Sequence, residues 1–305
     1  MRFKKLDLNL LVALDHMMTL TSVSAAADKM FMSQSAMSNA LTRLRTYFDD
    51  PLLVQVGKRM ELTPRAEAMK PAIRDILVRI EATIDTQPEF DPTVSTRKFN
   101  VLVSDFTLRV LMPHVVAEMD RQEARVRLNL LAQSESPFLT LERGDADLLI
   151  TPDIFISPNH PSTLLFEDQY VVLACGKGPH SKAHIDLEAY KTLPHAIMVP
   201  QSSDGKPAES LILERAGITR NVELSTFSFS ALPHLVVNTG RIATVHRSLA
   251  EIARQTSDLV IHPLPFDAPV FRQMMQWHSY REHDPGIMWI RDVFERAAGN
   301  LTSHS

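Results

Sequence analysis

Residues 22–48 read SVSAAADKMFMSQSAMSNALTRLRTYF. Two short helical patterns flank a tight break. The first runs from Ser22 to about Met30, and Ala25 to Ala27 let a neighbouring helix approach closely. Phe31 and Met32 make the turn. Ser33 then caps a helix to about Phe48, because its hydroxyl can accept from a free N–H of the first turn. Ala36, Met37, Ala40, Leu41 and Leu44 recur on one face. The other face carries Gln34, Ser35, Ser38, Asn39, Thr42, Arg43 and Arg45. A small-residue helix followed by a capped, polar-faced helix predicts a helix-turn-helix, whose second helix lies in the DNA major groove.

The flanks extend this unit. Leu8, Leu11, Val12, Leu14 and Met18 sit at helical spacing behind Asp7, a predicted N-cap. PLLVQVGKRMELT (51–63) reads as a hairpin with a basic tip at Gly57-Lys58-Arg59, a wing beside the polar-faced helix. Ser33, Gln34, Ser35, Ser38 and Arg43 are candidates for base edges or adjacent phosphates, and Arg45, Lys58 and Arg59 for the phosphate backbone. Pro64 suits the first position of a further helix. There Met69, Ile73, Ile76, Ile80 and Ile84 form one apolar stripe, which predicts a dimerisation helix. Pro71 should bend that helix or confine its irregularity to the first turns. TQPEFDPTVSTRK (86–98) reads as a linker.

Composition agrees with a head and a body. Among 305 residues the net charge is −4, yet residues 1–65 carry nine Lys/Arg against six Asp/Glu, a net +3. The rest sums to −7. A basic head on an acidic body fits a phosphate-binding module joined to something else. The single cysteine, Cys175, lies in the apolar run YVVLAC and reads as a buried strand residue. One cysteine allows no disulfide within the chain, and no stretch reaches the ~18–20 apolar residues of a membrane span, so a cytoplasmic location is expected.

From residue 99 strands and helices alternate, beginning FNVLVSD, then a helix in 106–123, VRLNLLA, a helix in 137–144, and DLLIT. This βαβ order predicts a parallel sheet. LLFEDQYVVLAC, AIMVP, NVELSTF, IATVH and LVIHPLPF are further strands, with short helices in 187–190, 209–216 and 230–239 and a last helix near 286–298. Crossings at about 163–174 and 259–266 would divide the region into two α/β lobes with a ligand cleft between them. His160, His180, His184 and His195 lack metal-ligand spacing, and His278 and His283 lie in a segment with a surface pattern. No nucleophile elbow, P-loop or dinucleotide fingerprint occurs. No catalytic residue, metal site or cofactor is expected.

LDLNLLVAL, the alanine run from Ser24, MSQSAMSNALTRLR and LTPRAEAM together resemble the LysR-type transcriptional regulators. MRFKKLDLNLLVALD, RLRTYFDDPL, FDPTVSTRKF and VSDF at 103–106 are similar to the nodulation-regulator (NodD) branch of that family. The chain departs from the family pattern at Ser35 and at His246, where proline is usual. The resemblance implies a winged helix-turn-helix (6–63), a linker and dimerisation helix (64–90), and a two-lobed, periplasmic-binding-protein-like α/β effector domain (91–305). Lobe I would take about 91–163 and 266–305, and lobe II about 164–265.

The family architecture also implies where a ligand sits. It points to Ser104, Asp105, Phe106 and Thr107 on one lobe, and to Pro200, Gln201, Ser202, Ser203, Phe227, Ser228, Phe229, Ser230, Val245 and His246 on the other. Donors at helix starts and strand ends would meet a carboxylate or phenolate, and Phe106, Phe227 and Phe229 would stack on an aromatic ring. The implied partners are double-stranded DNA with an interrupted palindromic operator, a small aromatic or phenolic inducer, RNA polymerase, and a second copy of the chain in a homodimer or homotetramer. Two other readings remain open: a small-molecule binding protein whose head makes protein contacts, and a regulator responding to a non-aromatic carboxylate.

Overall fold

The computed structural model describes residues 6–57, 59–84, 89–133, 136–200 and 206–302. Lys58, Gln201, Ser202 and Ser203 lie outside them. The chain divides into two compact units, Met1–Thr86 and Gln87–Ser305.

The first unit holds α1 (Leu8–Leu20), α2 (Val23–Lys29), α3 (Gln34–Phe48), β1 (Leu53–Val56), β2 (Arg59–Leu62) and α4 (Pro64–Ile84). Asp7 and Ser33 cap α1 and α3 as expected, and Ser22, expected as the first residue of its helix, caps α2 instead. Asp7 accepts from the Asn9 N–H at 2.9 Å, Ser22 from Ala25 at 3.2 Å, and Ser33 from Ala36 at 3.2 Å. The core gathers Leu14, Met17 and Met18 of α1, Ala26 and Ala27 of α2, and Met37, Leu41 and Leu44 of α3. Full burial of each large side chain here stabilises by about 1.5–3 kcal/mol. The small alanines of α2 let α1 and α3 close over them.

The linker helix differs from its expected role. Ala66, Ile73 and Leu77 of α4 are buried in this same core, with Met69 packed against it. Arg74 Nη1 meets the buried Asp15 carboxylate at 2.7 Å, and Lys70 donates to the Met18 carbonyl at 3.0 Å. The expected single stripe is therefore two faces. Met69 and Ile73 serve the head, while Ile76 (45% exposed), the half-buried Ile80 and Ile84 (74% exposed) point elsewhere. The reason is geometric: a step from 73 to 76 turns about 300° around the helix, far enough to leave a narrow contact. Pro71 lies inside the continuous helix. Its missing N–H costs only the bond to the Glu67 carbonyl, one turn from the helix start.

The second unit contains two five-stranded sheets. In lobe I, β3 (Lys98–Val103), β4 (Arg127–Ala132), β5 (Leu148–Pro152), β6 (Ser162–Asp168) and β12 (Phe271–Trp277) stand in the order β4-β3-β5-β12-β6. In lobe II, β7 (Tyr170–Cys175), β8 (Pro194–Met198), β9 (Asn221–Thr226), β10 (Ile242–His246) and β11 (Leu259–Pro263) stand in the order β11-β7-β10-β8-β9. The sheets are mixed rather than parallel. β3, β4 and β5 pair in parallel as expected, but β12 runs antiparallel to β5 and β6, and β7 runs antiparallel to β10 and β11. β12, a strand the sequence reading misses, is the chain returning from lobe II into the middle of sheet I.

LLFEDQYVVLAC is likewise not one strand. β6 ends at Asp168 in lobe I and β7 begins at Tyr170 in lobe II, so only Gln169 separates the sheets. The first crossing thus falls inside the expected 163–174, a few residues beyond the expected lobe boundary at 163. The region expected to be one helix over 106–123 is α5 (Asp105–Val110) followed by α6 (Met112–Arg121), broken at Leu111 ahead of Pro113. The remaining helices are α7 (Pro137–Glu142), α8 (Leu187–Thr192), α9 (Ala208–Arg215), α10 (Leu232–Val236), α11 (Arg247–Arg254) and α12 (Pro285–Thr302). Cys175 is buried, as its strand context predicts. Among the described residues no helix is long and apolar enough to cross a membrane.

Candidate DNA-reading face and inter-lobe site

On α3, Met37, Ala40, Leu41 and Leu44 face the core, which leaves Gln34, Ser35, Ser38, Asn39, Thr42 and Arg43 exposed. Ser33 caps the helix with its hydroxyl, 3.0 Å from that of Ser35. Gln34, Ser35, Ser38 and Arg43 thus form one outward polar strip from the helix start. Thr42 turns its hydroxyl back to the Ser38 carbonyl at 3.0 Å.

Arg45 has a different task. Its Nε donates to the Pro51 carbonyl at 2.7 Å and its Nη2 to the Leu53 carbonyl at 2.8 Å. It clasps the turn between α3 and the wing, and its guanidinium is directed at protein carbonyls rather than outward. Asp50 completes the turn. It accepts from the Leu52 N–H and the Thr63 hydroxyl, both at 2.7 Å, while Thr63 in turn accepts from the Ala66 N–H at 3.1 Å. The Thr63 hydroxyl, then the Leu52 N–H, hold the Asp50 carboxyl below its ordinary pKa.

The wing pairs Leu53 with Leu62 and Val56 with Arg59 in an antiparallel hairpin. Gly57 at its tip adopts φ +62°, a conformation open to glycine at little cost. Arg59 is exposed beside it. Phe31 is the conspicuous feature of the helix-turn-helix. It is 98% exposed and adopts φ +54°, a region that costs an L-residue roughly 1–2 kcal/mol.

The inter-lobe site is built where the two crossings converge. Ser104 caps α5, accepting from the Thr107 N–H at 3.2 Å. Thr107 is fully buried, its hydroxyl 3.0 Å from that of Ser104 and receiving the Gln273 amide at 3.2 Å. Asp105 reaches across to lobe II. Its Oδ2 accepts from the Ser228 hydroxyl at 2.6 Å, and from both the Ser230 N–H and the Ser230 hydroxyl at 3.0 Å.

Phe106 reaches across as well. Its ring stacks on the His246 imidazole with centroids 4.0 Å apart and planes at 27°. Phe271 stands edge-on to the same imidazole at 4.3 Å, Tyr170 tilts against it at 4.8 Å and Phe229 lies at 5.8 Å. Where the sequence reading expects an open cleft, these rings pack into a continuous seam.

His246 is 3% exposed, and neither ring nitrogen has a hydrogen-bond partner. Burial pulls its pKa down to about 3, so the imidazole is neutral near pH 7, with one N–H donor and one acceptor. The same burial pushes the Tyr170 phenol up. Leaving a buried polar group unpaired costs about 1–3 kcal/mol.

Phe227 sits outside this arrangement, 68% exposed, and Pro200 is half-buried two residues beyond the end of β8. Sequence reasoning missed Tyr170, Phe271 and Gln273. Tyr170 is paired with His246 across the antiparallel β7–β10 ladder, a register set by the tertiary structure. Phe271 and Gln273 had no signal, because β12 was not recognised.

Two family profiles match the chain: "Bacterial regulatory helix-turn-helix protein, lysR family" over residues 8–67, and "LysR substrate binding domain" over residues 94–299. The chain is a LysR-family transcriptional regulator. This LysR-family regulator is 37% identical over 303 residues to nodulation protein D 2 of Bradyrhizobium diazoefficiens, covering 99% of this chain and 92% of that one. It is also 37% identical over 306 residues to nodulation protein D 1 of Rhizobium meliloti, covering 100% and 99%.

Among solved structures, a probable transcriptional regulator of Pseudomonas aeruginosa is 29% identical with a TM-score of 0.63, covering 96% of this chain and 97% of that one. The LysR-family regulator CbnR in complex with its target DNA shares the fold at 15% identity, with a TM-score of 0.57 and coverage of 96% and 100%. The winged head is accordingly the DNA-binding domain of this LysR-family regulator, and the two-lobed body is its substrate-binding domain.

Proposed function

We propose that this regulator is a transcriptional activator that responds to a small aromatic or phenolic inducer bound between its lobes. It binds an interrupted palindromic operator as a dimer or tetramer. Inducer binding changes the arrangement of the DNA-binding heads and so the bend of the promoter and the recruitment of RNA polymerase. A ligand drives such a change only through unequal affinity for the two arrangements.

One observation carries the reading: the buried, unpartnered His246 imidazole inside a wall formed by Phe106, Tyr170, Phe229 and Phe271. A flat ring matches aromatic faces, and a ring hydroxyl supplies the hydrogen bond that the imidazole lacks. The exposed strip Gln34, Ser35, Ser38 and Arg43, with Arg59 of the wing, supports direct contact with operator DNA. The likeness to nodulation protein D of two rhizobial species supports the inducer class.

The test screens phenols, flavonoids and aromatic acids by thermal shift on the full chain, then repeats the hits in an operator gel shift over a salt series. A ligand that raises Tm and alters the mobility or affinity of the operator complex is expected. A steep loss of affinity with salt accompanies phosphate contact. Operator binding that no aromatic compound alters would exclude this inducer class.

A further inference from the structure

The Asp105 contact defines which ligands the inter-lobe site can take, given that this site is the effector site proposed above. Ser228 and Ser230 direct three donors at one point: two hydroxyls and one backbone N–H, all within 3.0 Å of Asp105 Oδ2. The Ser228 hydroxyl oxygen also accepts from the Ala231 N–H at 3.2 Å, which leaves its proton for the carboxylate. Three donors converging on one oxygen form a seat for a carboxylate, the acceptor that gains most from such a cluster. The chain fills that seat itself, from the opposite lobe. The next residue, Phe106, lies on His246, so the seat adjoins the aromatic wall.

An acidic ligand entering this wall meets the Asp105 carboxylate, finds the Ser228–Ser230 donors occupied, and receives no cation from His246, which burial keeps neutral. Asp105, Ser228 and Ser230 are half-buried, and like charges brought together at such a contact repel. A hydroxylated ring without formal charge meets none of these obstacles. We infer that Asp105 is a specificity-determining residue: as the chain's own carboxylate on the Ser228–Ser230 donors, it makes the inter-lobe site refuse acidic ligands and admit uncharged ones.

The experiment uses the full chain and chemical rescue. Asp105→Gly vacates the seat and lowers Tm. Sodium acetate, compared with sodium chloride at matched ionic strength, should restore Tm in Asp105→Gly and leave the wild type unmoved. Asp105→Asn is the second variant, which keeps the shape and drops the charge. Its affinity for benzoate should exceed that of the wild type by at least about tenfold, with phenol binding equal in the two. Equal benzoate affinity in wild type and Asp105→Asn overturns the inference and leaves the effector reading intact. So does an acetate response equal in wild type and Asp105→Gly, or absent from a folded Asp105→Gly. Acetate rescue and the benzoate gain, without any response to phenols in any of the three proteins, would instead remove the aromatic-inducer reading and leave the carboxylate seat standing.

Discussion

Phe106 of lobe I and His246 of lobe II lie face to face, ring centroids 4.0 Å apart, and that stack joins the two lobes at the point where the chain crosses between them. Around it the crossing is tied by backbone and side chain. Arg247 N–H donates to the Gln169 carbonyl at 2.8 Å, and the Ser248 hydroxyl donates to the buried Asp168 carboxylate. Movement of one lobe against the other therefore has to act through the neighbourhood of His246.

The histidine makes stability depend on pH in a definite direction. Burial holds His246 down at about 3, and burial also leads the depression of His195 to about 4. Below pH 6.5 the unfolded chain takes up protons at both positions and the folded chain does not. Their contribution is therefore intact above about pH 6.5 and is lost as pH falls toward those values. At pH 5.5 each site removes roughly 1 kcal/mol. His246→Leu should reduce the loss between pH 7.5 and 5.5 by about that amount, measured by urea unfolding at each pH. Parallel stability–pH curves for variant and wild type would contradict the burial argument.

Two arginines two residues apart on α3 should separate in their effects. Arg43→Ala removes an outward-facing group and is expected to weaken operator binding by ~1–3 kcal/mol with Tm unchanged. Arg45→Ala breaks the clasp on Pro51 and Leu53 and is expected to lower stability by about 1–3 kcal/mol. Gel-shift titration at fixed salt, paired with thermal melts, distinguishes them. Unchanged operator affinity in Arg43→Ala would remove that residue from the interface.

The two faces of α4 predict different phenotypes. Ile73→Ala opens a cavity in the head core and should destabilise it by about 2–5 kcal/mol. The double change Ile76→Glu with Ile84→Glu alters exposed positions and should leave the head folded while weakening dimerisation, by roughly 3 kcal/mol or about a hundredfold in Kd. Sedimentation across a concentration series reads the second effect, and a dimer unaffected by the double change would place the contact elsewhere.

Phe31 holds a left-handed conformation without burying its ring. Asparagine adopts that conformation more readily, so Phe31→Asn should raise stability by about 1 kcal/mol. A lower Tm in the variant would mean that the exposed ring has a stabilising contact in solution.

Local patterning determined the head almost completely. Asp7 and Ser33 cap the helices they precede, and Met37, Leu41 and Leu44 name the buried face of α3, because capping and helical periodicity act over three or four residues. The wing follows for the same reason, since Gly57 and the flanking strands are contiguous in the chain. LDLNLLVAL and MSQSAMSNALTRLR also carried the family. What the tertiary structure decided is everything that depends on residues far apart in sequence. Arg45 reads as a phosphate ligand until the Pro51 and Leu53 carbonyls are placed beneath it. Ile73 reads as part of a dimer stripe until Asp15 and the core of α1 meet α4. The seam needs Phe106, Tyr170, His246 and Phe271 together, drawn from both lobes and from a strand that returns through the middle of sheet I. The seat of Asp105 on Ser228 and Ser230 joins groups more than 120 residues apart. No local propensity encodes such a meeting, because its free energy arises only when the two lobes exclude water between them.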